Sequence, residues 1–328
     1  KLCVRLVPDD GRVVSGIEVF VTGPDTLEVA VTNRGLRSFR GDAVLVLGGK
    51  TQKAAVSEIA KGETRRISFR SPVRFSSSPV KGTLTLTLNG QKFEESLSLK
   101  SFFVPHLEKI TIDGSLDEWK NVSGAYFRSP VDRMNALKRP WTAQENAATA
   151  EIRTAWNKDG LYFAVVVNKA EFHPETGSSA RLWQGDSLQI AFDPLKNAKR
   201  DGLRYGGDDF EYAIGLFKGS PMVYRNVASL SLYDSLSKSI GELKGEVQAA
   251  IRTEPGRTIY EIRFVPRSVS PFVLKAGSSM RFNVIVNMNN GRERIGWLQL
   301  TPGIGEAKKP AGSVHGSSSD EITSCRTG

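Results

Sequence analysis

The sequence is poor in cysteine, with only Cys3 and Cys325 near opposite ends of a 328-residue chain. Neither belongs to a Cys-x-x-Cys pair or a Cys/His cluster, so the sequence offers no thiolate zinc site. The two thiols either stay separate or form a disulfide, which requires the ends of the chain to meet. Neither alternative gives the protein a redox function.

Histidine is scarce too, and the common catalytic motifs are absent. The three histidines, His106, His173 and His315, are too scattered to suggest a catalytic triad. The sequence contains no Gly-x-Ser-x-Gly, Walker, Rossmann or His-Glu-x-x-His motif. Glycoside hydrolysis needs two facing carboxylates, but such pairs occur in any sequence and decide nothing. The sequence therefore predicts a protein that is not an enzyme.

Long apolar runs are also missing. The longest, at 161–167, is far shorter than the roughly 20 residues that cross a bilayer, so we expect no transmembrane segment. The chain opens at Lys1 without an apolar signal core, which is compatible with a cleaved leader or a shortened sequence.

Basic residues outnumber acidic ones, 45 against 35, and the formal net charge is +10. The basic residues form no polybasic block, and no RNP-like or Cys2His2 motif accompanies them, so we expect no nucleic-acid binding. A positive field would favour an acidic polysaccharide or an anionic envelope surface instead.

Short alternating strands dominate the N-terminal third of a chain whose length predicts about two domains. The predicted strands there are 17–21, 26–32, 43–47, 65–69 and 82–88. Turn-forming residues separate them, and Asn89 followed by Gly90 is the strongest hairpin signal. A total of about seven strands in this length predicts an immunoglobulin-like β-sandwich over 1–104.

The rest of the chain repeats this β pattern with longer loops, which is where binding residues normally sit. Its predicted strands are 150–156, 161–168, 187–193, 210–217, 222–226, 246–253, 258–264, 282–287 and 294–300. We assign them to a second domain over 105–312, followed by a flexible tail over 313–328. The sequence thus predicts an all-β protein of two β-sandwich domains that meet near 101–108, with almost no helix.

Five segments of the second domain follow one another in a characteristic order. They are "IDGSLDEW" at 112–119, "AWNKDGLYFAVVV" at 155–167, "LWQGDSLQIAFDP" at 182–194, "DDFEYAIGL" at 208–216 and "RFNVIVNMNNGRERIGW" at 281–297. By their order and spacing, residues 105–312 resemble a family 9 carbohydrate-binding module, a type appended to xylanases and found in many secreted bacterial proteins.

This resemblance implies a jelly-roll-like sandwich that binds polysaccharide or oligosaccharide without catalysis. It also implies an extracellular, cell-surface or periplasmic protein, which can be part of a larger multidomain protein. The first domain would then be a spacer, as similar small sandwich domains are in bacterial secreted glycosidases.

Trp183 is the predicted main sugar contact, because it lies at a loop–strand junction where a large indole is hard to bury. In the family, a Trp at the matching position forms one wall of the sugar slot. An indole stacks on the CH face of a pyranose, while planar polar side chains bond its hydroxyls. We expect Gln184, Gln189 and Glu211 to be these partners and Trp141, in an open loop, to be a second wall. A packing role for Trp183 remains the alternative.

The sequence departs from the family pattern in two respects. The family has a carboxylate at the Gln189 position and a basic residue at the Glu211 position, so the polarity is swapped here. The family also closes its slot with a Trp from the loop at about 301–313, and this loop contains none. The remaining tryptophans of the second domain are predicted to be core residues: Trp119, Trp156 and Trp297.

Three acidic residues, Asp193, Asp208 and Asp209, fall at the ends of predicted strands. Oxygen-rich loops can chelate calcium, which takes about six to eight oxygen ligands. Family members often carry structural calcium, so these residues form the candidate metal site. The alternative is that they are ordinary turn and capping aspartates.

Two other functions stay open at this point. Both domains could be structural or assembly units of a larger surface protein that binds no sugar. The same sandwich type also resembles haem-binding domains of bacterial electron-transfer proteins, in which Met222 or Met288 could be an axial ligand. The sequence has no c-type attachment motif, and methionine more often fills gaps in a core.

Overall fold

A computed structural model of the chain describes residues 15–22, 25–75, 79–128, 130–197, 205–228, 240–300 and 321–327. These residues divide into two compact units, and the chain passes from the first to the second between Phe102 and Phe103. Nearly all regular structure is β-strand, and the one α-helix in the described ranges is α1, Ala143–Asn146. The predicted all-β class is confirmed.

Seven strands form the first unit. They are β1 Ser15–Val21, β2 Thr26–Asn33, β3 Phe39–Leu47, β4 Lys50–Ile59, β5 Thr64–Arg70, β6 Val80–Leu88 and β7 Gln91–Val104. One antiparallel sheet has the strand order β1-β2-β5. In the other sheet the strands of this unit have the order β7-β6-β3-β4. Two such sheets of three and four strands are typical of an immunoglobulin-like sandwich.

Alternation along the strands explains this sandwich. Leu84, Leu86 and Leu88 of β6 are buried and project to one face, because successive strand residues point to opposite faces. Each buried leucine stabilises the fold by about 1.5–3 kcal/mol. Strand β4 was not among the predicted strands, because most of its side chains are polar and exposed at the edge of its sheet. An edge strand needs few apolar residues, so its pattern is weak.

The second unit contains most of the remaining strands. They are β8 Ala125–Phe127, β9 Arg133–Asn135, β10 Thr149–Asn157, β11 Gly160–Asn168, β12 Ser187–Asp193, β13 Phe210–Phe217, β14 Ser220–Val227, β15 Gly241–Glu242, β16 Val247–Glu254, β17 Arg257–Phe264, β18 Ser279–Asn289 and β19 Arg294–Gln299. One antiparallel sheet has the order β16-β17-β11-β10-β8, and the other has the order β15-β14-β13-β12-β18-β19-β9. Three short strands, β8, β9 and β15, were not predicted, because two or three residues cannot show a periodic pattern.

Aromatic side chains join the two sheets of the second unit. The ring of Phe163 on β11 lies edge-to-face on Phe264 of β17, with centroids 5.7 Å apart. Phe192 of β12, from the other sheet, lies 5.0 Å from Phe264 in the same geometry. Each such contact contributes about 0.5–1.5 kcal/mol beyond area burial. Tyr212 of β13 also contacts this cluster, and its hydroxyl donates to the Ser268 carbonyl at 2.6 Å.

Trp119 is fully buried in a core cluster of this sandwich, as predicted for a packing residue. Its indole Nε1 donates to Glu261 Oε1 at 2.7 Å, and Glu261 Oε2 accepts from the backbone N–H groups of Gly114 at 2.6 Å and Asp113 at 3.1 Å. Gly114 has a φ of 83°, so the turn before Trp119 needs a residue without a Cβ. One buried carboxylate therefore fastens the first turn of the second unit to β17.

The C-terminal segment contains the last strand, β20 Glu321–Thr327, which pairs with β18 through Met280 and Cys325. The predicted flexible tail over 313–328 is therefore regular strand over 321–327, whereas 313–320 lies outside the described residues. Cys3 and the loop at 301–313 also lie outside them. Within the described ranges, no helix has the length and apolar character that a membrane crossing requires.

Replacing Glu261 with Gln should destabilise the second unit. An amide offers one acceptor oxygen where the carboxylate serves three donors, so at least one buried N–H group loses its partner, at a cost of about 1–3 kcal/mol. Urea unfolding of E261Q should show this loss, whereas E254Q, which breaks an exposed pair with Arg252, should cost less than about 1 kcal/mol. Equal stabilities of E261Q and the unaltered protein would contradict the role given to Glu261.

Candidate functional site

The sheet that contains β12 has a polar side opposite the core. Leu188, Ile190 and Phe192 point into the core, so Gln189 points to the other side, as predicted from the alternation. We call this side of β12, β13, β14, β18 and β19 the polar face. It carries a buried apolar cluster of Ala191, Ile285 and Trp297. Its polar side chains include those of Ser187, Gln189, Glu211, Asn226, Asn287 and Gln299.

The Glu211 carboxylate is the centre of a hydrogen-bond network on the polar face. Its Oε1 accepts from Gln189 Nε2 at 2.5 Å and from Asn226 Nδ2 at 2.7 Å. The Tyr205 hydroxyl donates to its Oε2. Glu211 and Gln189 are 0% and 2% exposed, respectively, so these bonds satisfy a charge that lies out of contact with water.

Asn287 extends this network along β18 to the partly buried cation of Arg294. Its Nδ2 donates to Gln189 Oε1 at 3.2 Å and to Ser187 Oγ at 3.1 Å. Its Oδ1 accepts from Arg294 Nη2 at 2.7 Å. Two amides thus connect the Glu211 carboxylate to the Arg294 guanidinium, and this chain of donors and acceptors fixes the direction of every amide in it.

Arg294 lies between two indoles. Its Cζ atom is 5.3 Å from the ring centroid of Trp183 and 4.4 Å from that of Trp297. Burial lowers the pKa of Arg294 to about 10, because water no longer stabilises its charge. Cation–π attraction to the two rings offsets part of this loss. Trp297 is buried as predicted, whereas Trp183 is partly exposed.

Asp186 positions the segment that carries Trp183. Its Oδ2 accepts from Lys169 Nζ at 2.7 Å and from the His173 backbone N–H at 2.6 Å, and its Oδ1 accepts from the Asn289 N–H at 2.9 Å. Burial raises the pKa of Asp186, and the Lys169 ammonium opposes that rise. The carboxylate therefore holds the start of β12, the 169–173 loop and the end of β18 together beside Trp183.

The predicted sugar contacts come together only in part. Trp183 and Gln184 are adjacent and partly exposed, and the Gln184 carbonyl accepts from Asn289 Nδ2 at 2.9 Å. Gln189 and Glu211 lie in the same face but are buried in contact with each other. A role for these four side chains in sugar binding stays a prediction.

The expectation that Trp141 lies in an open loop is wrong. Trp141 is 8% exposed, and its Nε1 donates to the Ile295 carbonyl at 2.9 Å. A Cβ at Gly296 would lie 2.7 Å from the Trp141 ring, so only glycine leaves room for it. The indole is therefore a packing residue against β19 and offers no second wall to a sugar.

Arg294 and Asn287 were not predicted as site residues. Asn287 could have been found, because it alternates with Val284, Val286 and Met288 along a predicted strand and so points to the polar face. Arg294 carries no comparable signal, since it begins a strand and resembles many other basic residues of this chain. Met288 is fully buried, as expected of a core methionine.

The three predicted metal ligands meet. Asp193, Asp208 and Asp209 are buried, and each offers an oxygen within 4.8 Å of the others. Burial, together with the charges of Asp193 and Asp208, raises the pKa of Asp209 to about 6, although the Gly206 N–H opposes this rise. Asp209 Oδ1 is buried and accepts no hydrogen bond within the described residues. Three repelling carboxylates with an unused oxygen fit a hard cation such as calcium.

The comparisons with known proteins agree with this geometry. A sequence profile described as "Carbohydrate family 9 binding domain-like" matches residues 112–307. The chain belongs to this family. Family 9 modules bind carbohydrate without catalysis, and the second unit is such a module. No curated protein matches the chain in sequence.

Two solved family 9 modules from Caldicellulosiruptor kristjanssonii are similar in structure to this chain. One, in complex with cellotriose, is 17% identical with a TM-score of 0.44, and the match covers 63% of this chain and 87% of that one. The other, in complex with glucose, is 18% identical with a TM-score of 0.45, and the match covers 63% and 89%.

Trp141 and Trp183, the two tryptophans predicted to contact sugar, should differ in how much unfolding free energy the protein loses when each is truncated. Trp141→Ala removes a buried ring and its hydrogen bond, so it should cost about 3–5 kcal/mol of unfolding free energy. Trp183→Ala removes a partly exposed ring and should cost much less. Denaturant unfolding of both variants of the family 9 module checks this difference. A loss from Trp183→Ala as large as that from Trp141→Ala would make Trp183 a core residue.

Proposed function

We propose that Trp183 is the main sugar contact of this family 9 module, with Gln184 beside it. Trp183 combines the three features that a sugar-stacking residue needs: an accessible ring, a fixed loop and polar groups close by. The Asp186 bonds supply the fixed loop, and Asn289 holds the backbone of Gln184. Gln189 and Glu211 then support the site from beneath, because their hydrogen bonds are spent on each other and on their neighbours.

The protein's setting is a further part of this proposal. We infer that the chain acts outside the cytoplasm, as a non-catalytic part of a larger secreted or surface protein, with the immunoglobulin-like unit as a spacer. The sequence supports this view, because no catalytic motif occurs in it. A binding module without chemistry of its own serves to hold another domain, or a cell surface, against polysaccharide.

Calcium is the third part of the proposal, and its role is structural. Asp193, Asp208 and Asp209 would hold the ion, whose charge would compensate three buried carboxylates. Arg281 Nη1, at 3.7 Å from Asp193 Oδ2, compensates only part of that charge. The bound ion would stabilise the loop between β12 and β13, beside the polar face.

Removing the indole of Trp183 should abolish sugar binding. A module with one stacking face should bind with about 4–7 kcal/mol, a Kd of roughly millimolar to ten micromolar. Titration calorimetry of the unaltered protein with glycans selected on a glycan array, with cellotriose and glucose included, should give a Kd in this range. Trp183→Ala should give no measurable heat.

Trp141→Phe is the matched control, since it retains a buried aromatic ring away from the proposed contact. It should bind as the unaltered protein does. Retained binding by Trp183→Ala would place the sugar site elsewhere, and a protein that binds no glycan would favour the structural alternative.

Calcium should raise the melting temperature of the protein, and a chelator should lower it. A ligand that binds only the folded state stabilises it by about 2.7 kcal/mol at one hundred times its Kd. Scanning calorimetry with excess calcium and with EDTA measures the difference. Asp209→Asn should remove most of it, whereas Asp117→Asn, at an exposed position, should leave it intact. Equal melting temperatures under both conditions would exclude a calcium site.

A further inference from the structure

Arg294 differs from Arg225 and Arg281 of the second unit in having no carboxylate partner among the described residues. Arg133 and Arg263 also have a buried Nε without an acceptor there, but Arg294 lies over two indoles. Arg225, which is fully buried, pairs with Glu246, and Arg281 lies near Asp193. Within the described residues, no carboxylate pairs with Arg294, and its Cζ atom lies over the rings of Trp183 and Trp297 instead. Removing a cation from water without supplying an anion is unfavourable, so a cation held in this way beside an accessible indole is a candidate binding group.

The donors of Arg294 are largely unused. A guanidinium carries five N–H donors, and the described hydrogen bonds engage Nη2 alone, with Asn287 Oδ1 at 2.7 Å. Its Nε is buried and has no acceptor among the described residues. The bond to Asn287 and the two flanking indoles nevertheless hold the group in one place. Arg294 is therefore a preorganised cation with spare donors beside a partly exposed indole.

These features match an anion attached to a sugar ring. A carboxylate accepts two parallel N–H bonds from a guanidinium, which gives both energy and direction. The sugar that carries it can lie on the neighbouring Trp183 ring, as a pyranose lies on an indole. The net charge of +10 would also draw a polyanion towards the protein.

We propose that Arg294 is a specificity-determining residue of the module and that the ligand of the module is an acidic glycan. The carboxylate of a uronic acid pairs with the Arg294 guanidinium, while the sugar ring lies against Trp183. This inference rests on the proposed carbohydrate function and narrows it from carbohydrate in general to uronic-acid polysaccharide.

The experiment compares each acidic glycan with its own neutral counterpart. A panel of glucuronate- and galacturonate-containing oligosaccharides is presented to the full chain, with cellotriose and xylotriose as neutral glycans. Every acidic glycan that binds is then tested after chemical reduction of its carboxyl groups to alcohols, which removes the charge and keeps the ring. We expect this reduction to weaken binding at least tenfold, and added salt to weaken the binding of the acidic form.

Three variants test whether Arg294 causes this preference. Arg294→Gln should bind acidic and carboxyl-reduced glycans equally weakly, and Arg294→Lys, which keeps the charge without the fork, should retain part of the preference. Arg263→Gln is the matched control, because its Nε is likewise buried without an acceptor in the described residues but lies on β17, in the opposite sheet. It should bind as the unaltered protein does. Near-ultraviolet circular dichroism establishes that each variant is folded.

The outcomes separate this inference from the proposed function. Binding of neutral glycans alone, with Arg294→Gln unaffected, would keep the carbohydrate function and overturn the acidic ligand. A preference for acidic glycans that survives Arg294→Gln in a folded variant would overturn the role of Arg294. An absence of any glycan binding would overturn both proposals. Should Arg294→Gln fail to fold, the Arg294→Lys comparison decides.

Discussion

The need to satisfy one fully buried carboxylate, Glu211, organises the polar face of the second unit. Its charge is out of reach of water, so protein donors must replace the water that would otherwise hydrate it. Gln189, Asn226 and Tyr205 supply these donors. Because an amide that donates from its nitrogen must find a donor for its oxygen, Gln189 in turn fixes the orientation of Asn287. Asn287 then fixes Arg294.

This chain of hydrogen bonds explains why the residues proposed to contact sugar are not the polar residues deepest in the sheet. Gln189 and Glu211 use their hydrogen-bonding groups on each other and on Asn287, which in turn holds Arg294 in place. Arg294 and Trp183, which are less buried, would meet the proposed ligand with orientations that the deeper layer has set. A rigid lower layer reduces the freedom that the upper side chains would lose on binding, which favours affinity from few contacts.

Two places in the second unit combine charge that is not fully compensated with a buried polar atom that has no partner in the described residues, and their charges are opposite in sign. Arg294 is a cation that no carboxylate of the described residues neutralises, and Asp193, Asp208 and Asp209 are three anions with one arginine nearby. Two other buried charged groups of the unit, Asp186 and Glu211, have their hydrogen-bonding capacity met within it: Lys169 pairs with Asp186, and neutral donors surround Glu211. Charge that the folded protein itself leaves uncompensated is the physical reason to propose an external partner of opposite charge at each of these two places.

The sequence by itself determined the class of fold, most strand positions and the family, because alternation of apolar residues and turn chemistry are local properties. β12 and β13 occupy the positions that their patterns predict, and the three aspartates could be grouped because they lie at adjacent strand ends. Short or polar edge strands such as β4 left no periodic signal. Only the tertiary structure decided the burial of Trp141, which depends on a distant glycine in β19, and the placing of Arg294 between two indoles. The contacts of Trp141 with Gly296 and of Trp183 with Arg294 join residues far apart in sequence, and no local pattern records them.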